Sequence, residues 1–336
     1  MTRVAVVFTG GTISMESDPA AGGNVPTLDG AHILARTPGL DAIADVVAID
    51  AGLTSASHFT FRQLFDIGGR AREALSDPSI DGAVIVQGTD TIEETSFFWD
   101  LLHDSPKPLV VTGAMRSASE AGYEGPANLR DAVRCAASVE LRGQGVVVVL
   151  AGAIHPADDV LKTHASAMTT FQSPNLGPLG HVERDRVVVA RRRAGRRHVT
   201  TEIAAEPVYL VTAVVASDGE LVRAASRLGA RGIVVAATGA GNTNPDLLAA
   251  GREAMADGIP VVLVTRAPAG RAGTAYAFPG GGATWARAGA LFAGYLGGPK
   301  ARIALALGYG AGLDHDGLAR LLADPEPLAG GPDAAR

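Results

Sequence analysis

The stretch that most constrains this chain runs from Ala83 to Thr95, A-V-I-V-Q-G-T-D-T-I-E-E-T. Ala83 to Val86 are continuously apolar, the pattern of a strand buried on both faces, as in a parallel sheet. Gly88 breaks the run. Thr89, Asp90, Thr91, Glu93 and Glu94 then give the polar, acid-rich start of a helix. Asp90 is expected to cap that helix, with Glu93 three residues on as in a capping box. Hydroxyls, a carboxylate and main-chain N–H groups thus meet at the carboxyl end of a strand, where open α/β sheets bind ligands. A well-capped turn with no function fits this stretch equally well.

The same grammar recurs along the chain. Val4–Phe8 reads as a first strand, followed by T-G-G-T-I-S from Thr9 to Ser14. Leu109–Val111 is another, ending in T-G-A-M-R from Thr112 to Arg116. Asp45–Ile49 and Val146–Leu150 add strands. His32–Leu40, Phe61–Leu75 and Asn128–Val139 read as helices, and Val187–Val189 as a hairpin strand. Strands alternating with helices give a parallel, doubly wound α/β domain. Met15 to Gly30 is rich in Gly, Pro, Asp and Ser with no period of either kind. A loop of that length beside a strand end reads as a lid.

Arg191 to Pro207 is basic and aperiodic, and its Arg191–Arg197 cluster reads as a surface or linker feature. The alternation then restarts: strands at Leu210–Val215, Gly232–Ala236 and Val261–Val264, helices at Asp218–Leu228 and Asp246–Asp257. A Gly-rich loop, Ala267–Gly282, precedes a last pair of helices. The expected organisation is a catalytic α/β domain over 1–193, a linker over 194–206, and a smaller, flavodoxin-like α/β domain over 207–336.

Bulk properties narrow the function. A net charge of −6 with no dense basic patch argues against a nucleic-acid partner. The apolar N-terminal segment is too short for a signal sequence, and no apolar run reaches the length of a membrane span. A soluble cytoplasmic protein with no membrane partner is expected. Cys135 is the sole cysteine, so neither an intrachain disulfide nor a Cys-rich metal site can form. His58, His155 and His164 match no standard ligand spacing. There is no G-x-G-x-x-G, no G-x-x-x-x-G-K-[ST] and no G-x-S-x-G.

In a parallel sheet the strand ends share one edge. That gathers Thr12, Thr89, Asp90 and the N–H groups near Gly11 and Ala114 in one crevice, and Lys162 follows the next strand toward it. A threonine hydroxyl needs an adjacent base to act as a nucleophile. A lysine beside a carboxylate can be that base or part of its proton relay, and turn amides can stabilise an oxyanion. The expected chemistry is acyl transfer to a threonine, then hydrolysis. Taken singly, the Thr-Gly-Gly-Thr turn, the Asp90 cap and a solvated Lys162 each have structural readings.

V-F-T-G-G-T-I-S at Val7–Ser14 and Q-G-T-D-T-I-E-E-T at Gln87–Thr95 resemble the two signature segments of the bacterial-type L-asparaginases. V-T-G-A-M-R at Val111–Arg116, D-V-L-K-T at Asp159–Thr163, G-P-L-G at Gly177–Gly180, G-A-G-N-T-N at Gly239–Asn244 and P-K-A-R-I-A-L at Pro299–Leu305 extend the likeness over nearly the whole chain. The resemblance implies two α/β domains, a homotetramer of tight dimers or a dimer, a small amide substrate, and no metal or organic cofactor. It implies Thr12 as the residue acylated, with Thr89, Asp90 and Lys162 as the relay. Gly11, Ala56, Ser57, Gly88 and Ala114 would line the substrate, and Asn244 would reach a neighbouring subunit's site.

Three departures from the family pattern stand out. The loop Met15–Gly30 lacks the usual tyrosine, with Val25 near its place. Ala56, between Ser55 and Ser57, stands where a carboxylate-binding serine is usual. The late loop Gly273–Phe278 holds Tyr276 and no acid. These leave D-asparagine, glutamine or a blocked amide as alternative substrates, and a non-catalytic amino-acid sensor or a nucleotide- or phosphate-binding protein as alternative functions.

Overall fold

A computed structural model describes residues 2–325. The chain forms two compact units, one up to Arg193 and one from Ala194. The first holds strands β1 (Arg3–Phe8), β2 (Met15–Asp18), β3 (Gly23–Pro26), β4 (Asp45–Asp50), β5 (Gly82–Val86), β6 (Leu109–Thr112), β7 (Val146–Leu150), β8 (Ala153–Pro156), β9 (Leu161–Lys162), β10 (Phe171–Gln172), β11 (Gly180–Glu183) and β12 (Arg186–Val189). Its helices are α1 (Gly30–Ala35), α2 (Phe61–Ser76), α3 (Ile92–Leu102) and α4 (Gly125–Ala136).

The main sheet runs β12-β11-β8-β7-β6-β5-β1-β4. β7, β6, β5, β1 and β4 are parallel, and β8, β11 and β12 extend them antiparallel. The continuous apolar runs have their cause here, since both faces of the parallel strands are covered. Val4, Val6, Val84, Val110 and Val147 pack with Ile33 of α1 and with Leu129 and Val133 of α4. Ala5, Val7, Ile85 and Val111 point the other way and are equally buried, on the side where α2 lies against β1 and β5 and α3 against β6 and β7. From β1 the chain moves outward to β4, then crosses back to β5 and on to β6 and β7. The order therefore reverses between β1 and β5, and that is the position at which such sheets open a crevice.

Several expectations are corrected. Met15–Gly30 is not aperiodic: β2 and β3 form an antiparallel hairpin with Glu16 opposite Val25. Its short, half-exposed strands carry no apolar alternation, so the pattern had nothing to show. Side-chain contacts hold it instead. Glu16 accepts hydrogen bonds from Arg36 Nη1 (2.8 Å) and Thr27 Oγ1 (3.0 Å), and Ser119 Oγ accepts one from Ser17 N–H (2.8 Å). The helix expected over His32–Leu40 is shorter and earlier. The arginine cluster is not a surface feature throughout. Arg193 is 5% exposed and pairs with Asp100 and Asp158, both at 2.8 Å, while Arg197 pairs with Asp324 at 3.0 Å.

The second unit has a parallel sheet, β13 (Val208–Thr212), β14 (Gly232–Ala237), β15 (Val261–Thr265) and β16 (Leu291–Phe292), in sequence order. Its helices are α5 (Glu220–Arg227), α6 (Pro245–Ala256), α7 (Gly282–Ala288), α8 (Gly298–Gly310) and α9 (His315–Leu322). Three helices and a short strand thus follow the Gly-rich loop, where a pair of helices was expected. Trp285, Leu247, Leu248 and Val222 pack on one face of the sheet with Ile233, Val235 and Leu263.

Candidate active site

The turns after β1 and β5 sit against each other, main chain on main chain. Phe8 is level with Val86, and Thr9 N–H donates to Val86 O (3.0 Å). A Cβ added at Gly11 would lie 2.1 Å from Gly88 N, and Gly11 has φ +95°. Only glycine meets both demands, the close approach and the left-handed backbone. This contact brings the turn that carries Thr12 against the turn that carries Thr89. The third strand end closes the group: a Cβ at Gly113 would lie 2.4 Å from Gln87 O and 3.3 Å from Thr89 Cγ2. Ala114 follows it, fully buried.

Thr12 opens a single 3-10 turn, Thr12–Ser14, and is half-buried. Ser14 N–H and Oγ–H both donate to Gly11 O, at 2.9 and 2.7 Å. Thr89 also begins a 3-10 turn, Thr89–Thr91, which runs into α3. Gln87, buried behind it, accepts from Thr95 Oγ1 (2.9 Å) and donates to Gly88 O (3.0 Å). The side chain that dominates the Q-G-T-D-T motif structurally is therefore Gln87, which ties the strand end to the helix.

Lys162 reaches this edge from β9. Its Nζ donates to Thr89 Oγ1 at 3.0 Å and to Asp90 Oδ1 at 2.8 Å. The lysine side chain is 13% exposed and the aspartate 70%. The cation is largely withdrawn from water while its counter-charge opens to solvent. Glu93 fixes the lysine's main chain by accepting from Lys162 N–H at 2.7 Å. The expected capping box at α3 is thus corrected. The N-cap of α3 is Thr91, with no side-chain cap; Asp90 and Glu93 both turn to Lys162 instead. For Asp90, the charge-assisted bond it accepts from the ammonium outweighs a cap bond to a neutral amide; Glu93 accepts from the Lys162 main-chain N–H. A capping box does form at α2, between Thr60 and Gln63.

Ala56 lies on the same floor, its Cβ 3.1 Å from where a Cβ of Gly88 would be. Thr91 Oγ1 donates to Ala56 O (3.1 Å), and Ser57 Oγ lies 3.0 Å from Ser55 Oγ. So Thr12, Thr89, Asp90, Lys162, Gly11, Gly88, Ala56 and Ala114 belong to one set of strand ends and the loops against them. Asn244 belongs to the second unit, where it is the N-cap of α6 and accepts from Leu247 N–H (2.9 Å). Its amide also donates to Ser217 O. One residue of the neighbourhood that sequence reasoning missed is Tyr123, whose hydroxyl donates to Ile13 O at 2.7 Å. A lone tyrosine in a polar loop gives no periodic signal.

Residues 3–195 match the family description "Asparaginase, N-terminal", and residues 207–322 match "Glutaminase/Asparaginase C-terminal domain". The chain belongs to the asparaginase family. Among relatives, it is 34% identical to a probable L-asparaginase of Deinococcus radiodurans over 96% of this chain and 97% of the other. It is 32% identical to an L-asparaginase of Bacillus licheniformis, over 91% and 94%. Among solved structures, a probable cytoplasmic L-asparaginase of Campylobacter jejuni superposes with a TM-score of 0.85 at 27% identity, covering 96% of this chain and 99% of that one. Among the described residues, no helix is long and apolar enough to cross a membrane.

Proposed function

We propose that this chain hydrolyses L-asparagine to L-aspartate and ammonia through an acyl-enzyme on Thr12. The observation that carries the reading is the Lys162 ammonium shared between Thr89 and Asp90, on a turn whose main chain touches that of the Thr12 turn. A fixed hydroxyl–ammonium–carboxylate chain beside a second threonine is an arrangement for moving a proton during attack.

The Thr12 hydroxyl oxygen attacks the side-chain amide carbon. Its proton passes to the Thr89–Lys162–Asp90 relay and returns to the nitrogen, which leaves as ammonia. Water then attacks the ester carbon, the relay takes its proton, and that proton goes back to the Thr12 oxygen as aspartate is released. Main-chain N–H groups around Gly88, Thr89 and Ala114 face the developing oxyanion, and Gly11, Ala56 and Ser57 hold the rest of the substrate. Asp90 is open enough to pair with the substrate's ammonium while it holds Lys162.

The reading extends to assembly and place. Asn244 reaches the site of a neighbouring subunit in a homo-oligomer, and the protein works in the cytoplasm, as the name of the Campylobacter jejuni structure suggests for that relative. The test is ammonia release from L-asparagine, D-asparagine and L-glutamine by wild type and Thr12→Ala. L-Asparagine is expected to be the best of the three, with turnover lost in the variant. Tight binding without turnover would instead make the chain a sensor.

A further inference from the structure

We propose that Tyr123 is a positioning residue for the nucleophile, holding the Thr12 turn from a separate segment of the chain. The proposal rests on Thr12 being the residue acylated.

Three successive carbonyls shape that turn. Gly11 O accepts from Ser14 N–H and Oγ–H, and Thr12 O accepts from Met15 N–H; these bonds are local to the turn. Ile13 O accepts from the Tyr123 hydroxyl at 2.7 Å, across 110 positions of sequence. Ile13 itself is fully buried, so its peptide plane lies where water does not compete for the bond. A 3-10 turn of three residues has little stiffness of its own. Of these four bonds, the one from Tyr123 ties the turn to a different part of the fold; Ser14 O, at the end of the turn, accepts from Thr27 and Leu28 N–H just after β3.

Tyr123 is itself held. It lies in the segment between β6 and α4, which folds around its own carboxylates: Glu124 accepts from Met115 N–H and Arg116 N–H, and Glu120 from Ser117 N–H. Arg116 Nη1 donates to Ala121 O at 3.0 Å. The phenol lies over Gly125, where a Cβ would fall 2.3 Å from its oxygen, so the ring can settle there only above a glycine. The segment also meets the hairpin after the turn, through Ala118 N–H donating to Met15 O at 2.9 Å. The segment after the strand end that supplies Ala114 and the turn that supplies Thr12 are therefore held together by the Tyr123 side chain and by this main-chain bond. Burial pushes the Tyr123 hydroxyl up to about 12, so it stays a donor throughout the neutral range.

Attack by a hydroxyl is sensitive to placement, because a shift of about 1 Å can cost roughly a hundredfold in rate. Removing one bond that restrains the turn, with the ring kept, loosens the nucleophile without removing any substrate contact. Tyr123→Phe is therefore expected to lower kcat about tenfold, an intermediate loss for a turn that keeps its three local bonds, with KM within about twofold and the limbs of the pH–rate profile unmoved. Unchanged kcat, whatever happens to Tm, would overturn the proposal. So would a moved limb, which would make the phenol a proton carrier, or a rise in KM equal to the loss in kcat. Thr12→Ala measured alongside separates the two claims. Full activity there overturns the nucleophile and this proposal with it. An inactive Thr12→Ala beside an unimpaired Tyr123→Phe overturns this proposal alone.

Discussion

Lys162→Met isolates the relay from the fold. Methionine keeps the unbranched stem of the side chain up to the ammonium, and the main-chain N–H that donates to Glu93 at 2.7 Å. What goes is the ammonium between Thr89 and Asp90. The stability change is small because Asp90 is 70% exposed and water takes over its solvation. A pair screened to that degree is worth at most about 1 kcal/mol, and the bond to Thr89 adds roughly another. At about 2–4 °C per kcal/mol for a body of this size, Tm falls by no more than about 8 °C. Catalysis depends on the same atoms much more heavily. Loss of a positioned proton carrier lowers rates by about 10²–10⁴, which is roughly 3–5 kcal/mol of barrier. The assay is steady-state ammonia release from L-asparagine beside a thermal melt. A variant that melts within about 8 °C of wild type and retains less than about one hundredth of kcat supports the relay. Activity within about threefold of wild type would refute it, and a melt lowered by much more than about 8 °C would refute the stability reasoning.

Two further outcomes follow from groups outside the relay. Burial by itself would lower the pKa of Arg193, but Asp100 and Asp158 outweigh it and hold the guanidinium above its usual range. Arg193→Met leaves the fully buried Asp100 without that charge, and urea unfolding should show a loss of about 3–5 kcal/mol; a loss under about 1 kcal/mol would mean the site rehydrates. Glu16 is held below its ordinary value of 4.5 by its bonds to Arg36 and Thr27. A lowered carboxylate stabilises above its unfolded pKa and stops doing so as pH falls through the folded one. Amide protection factors in the β2–β3 hairpin, with exchange rates corrected for their intrinsic fall with pH, should therefore drop below about pH 4.5 in wild type and show a weaker pH dependence in Glu16→Gln.

The parallel sheet was the legible part of the fold. Val4–Phe8, Ala83–Val86 and Val146–Val149 are continuous apolar runs because helices cover both faces, and that signature survives in one dimension. The strand ends were legible for a related reason. Gly11 is imposed by contact with the main chain at Gly88, so the motif and the geometry have one cause. What could not be read were features whose partner lies far away in sequence. Asp90 and Glu93 have the spacing of a capping box, and only the presence of Lys162, about seventy positions on, redirects them. Arg193 looked solvated because its neighbours are basic; Asp100 and Asp158 give it a buried place. The hairpin of Met15–Pro26 lacks apolar alternation and is held by Arg36 and Ser119. Tyr123 has no local signal, and its role rests on a carbonyl across the fold.

The central claim is that Thr12, and not Thr89, becomes acylated. Both hydroxyls stand at adjacent strand ends, and only Thr89 is bound to the lysine. Rapid acid quench of wild type and of Thr12→Ala during turnover of L-asparagine, followed by peptide mass spectrometry, reads the covalent intermediate directly. An aspartyl adduct on the peptide bearing Thr12, absent from the variant, is the result expected. An adduct on the peptide bearing Thr89, or undiminished ammonia release from Thr12→Ala, would contradict the mechanism.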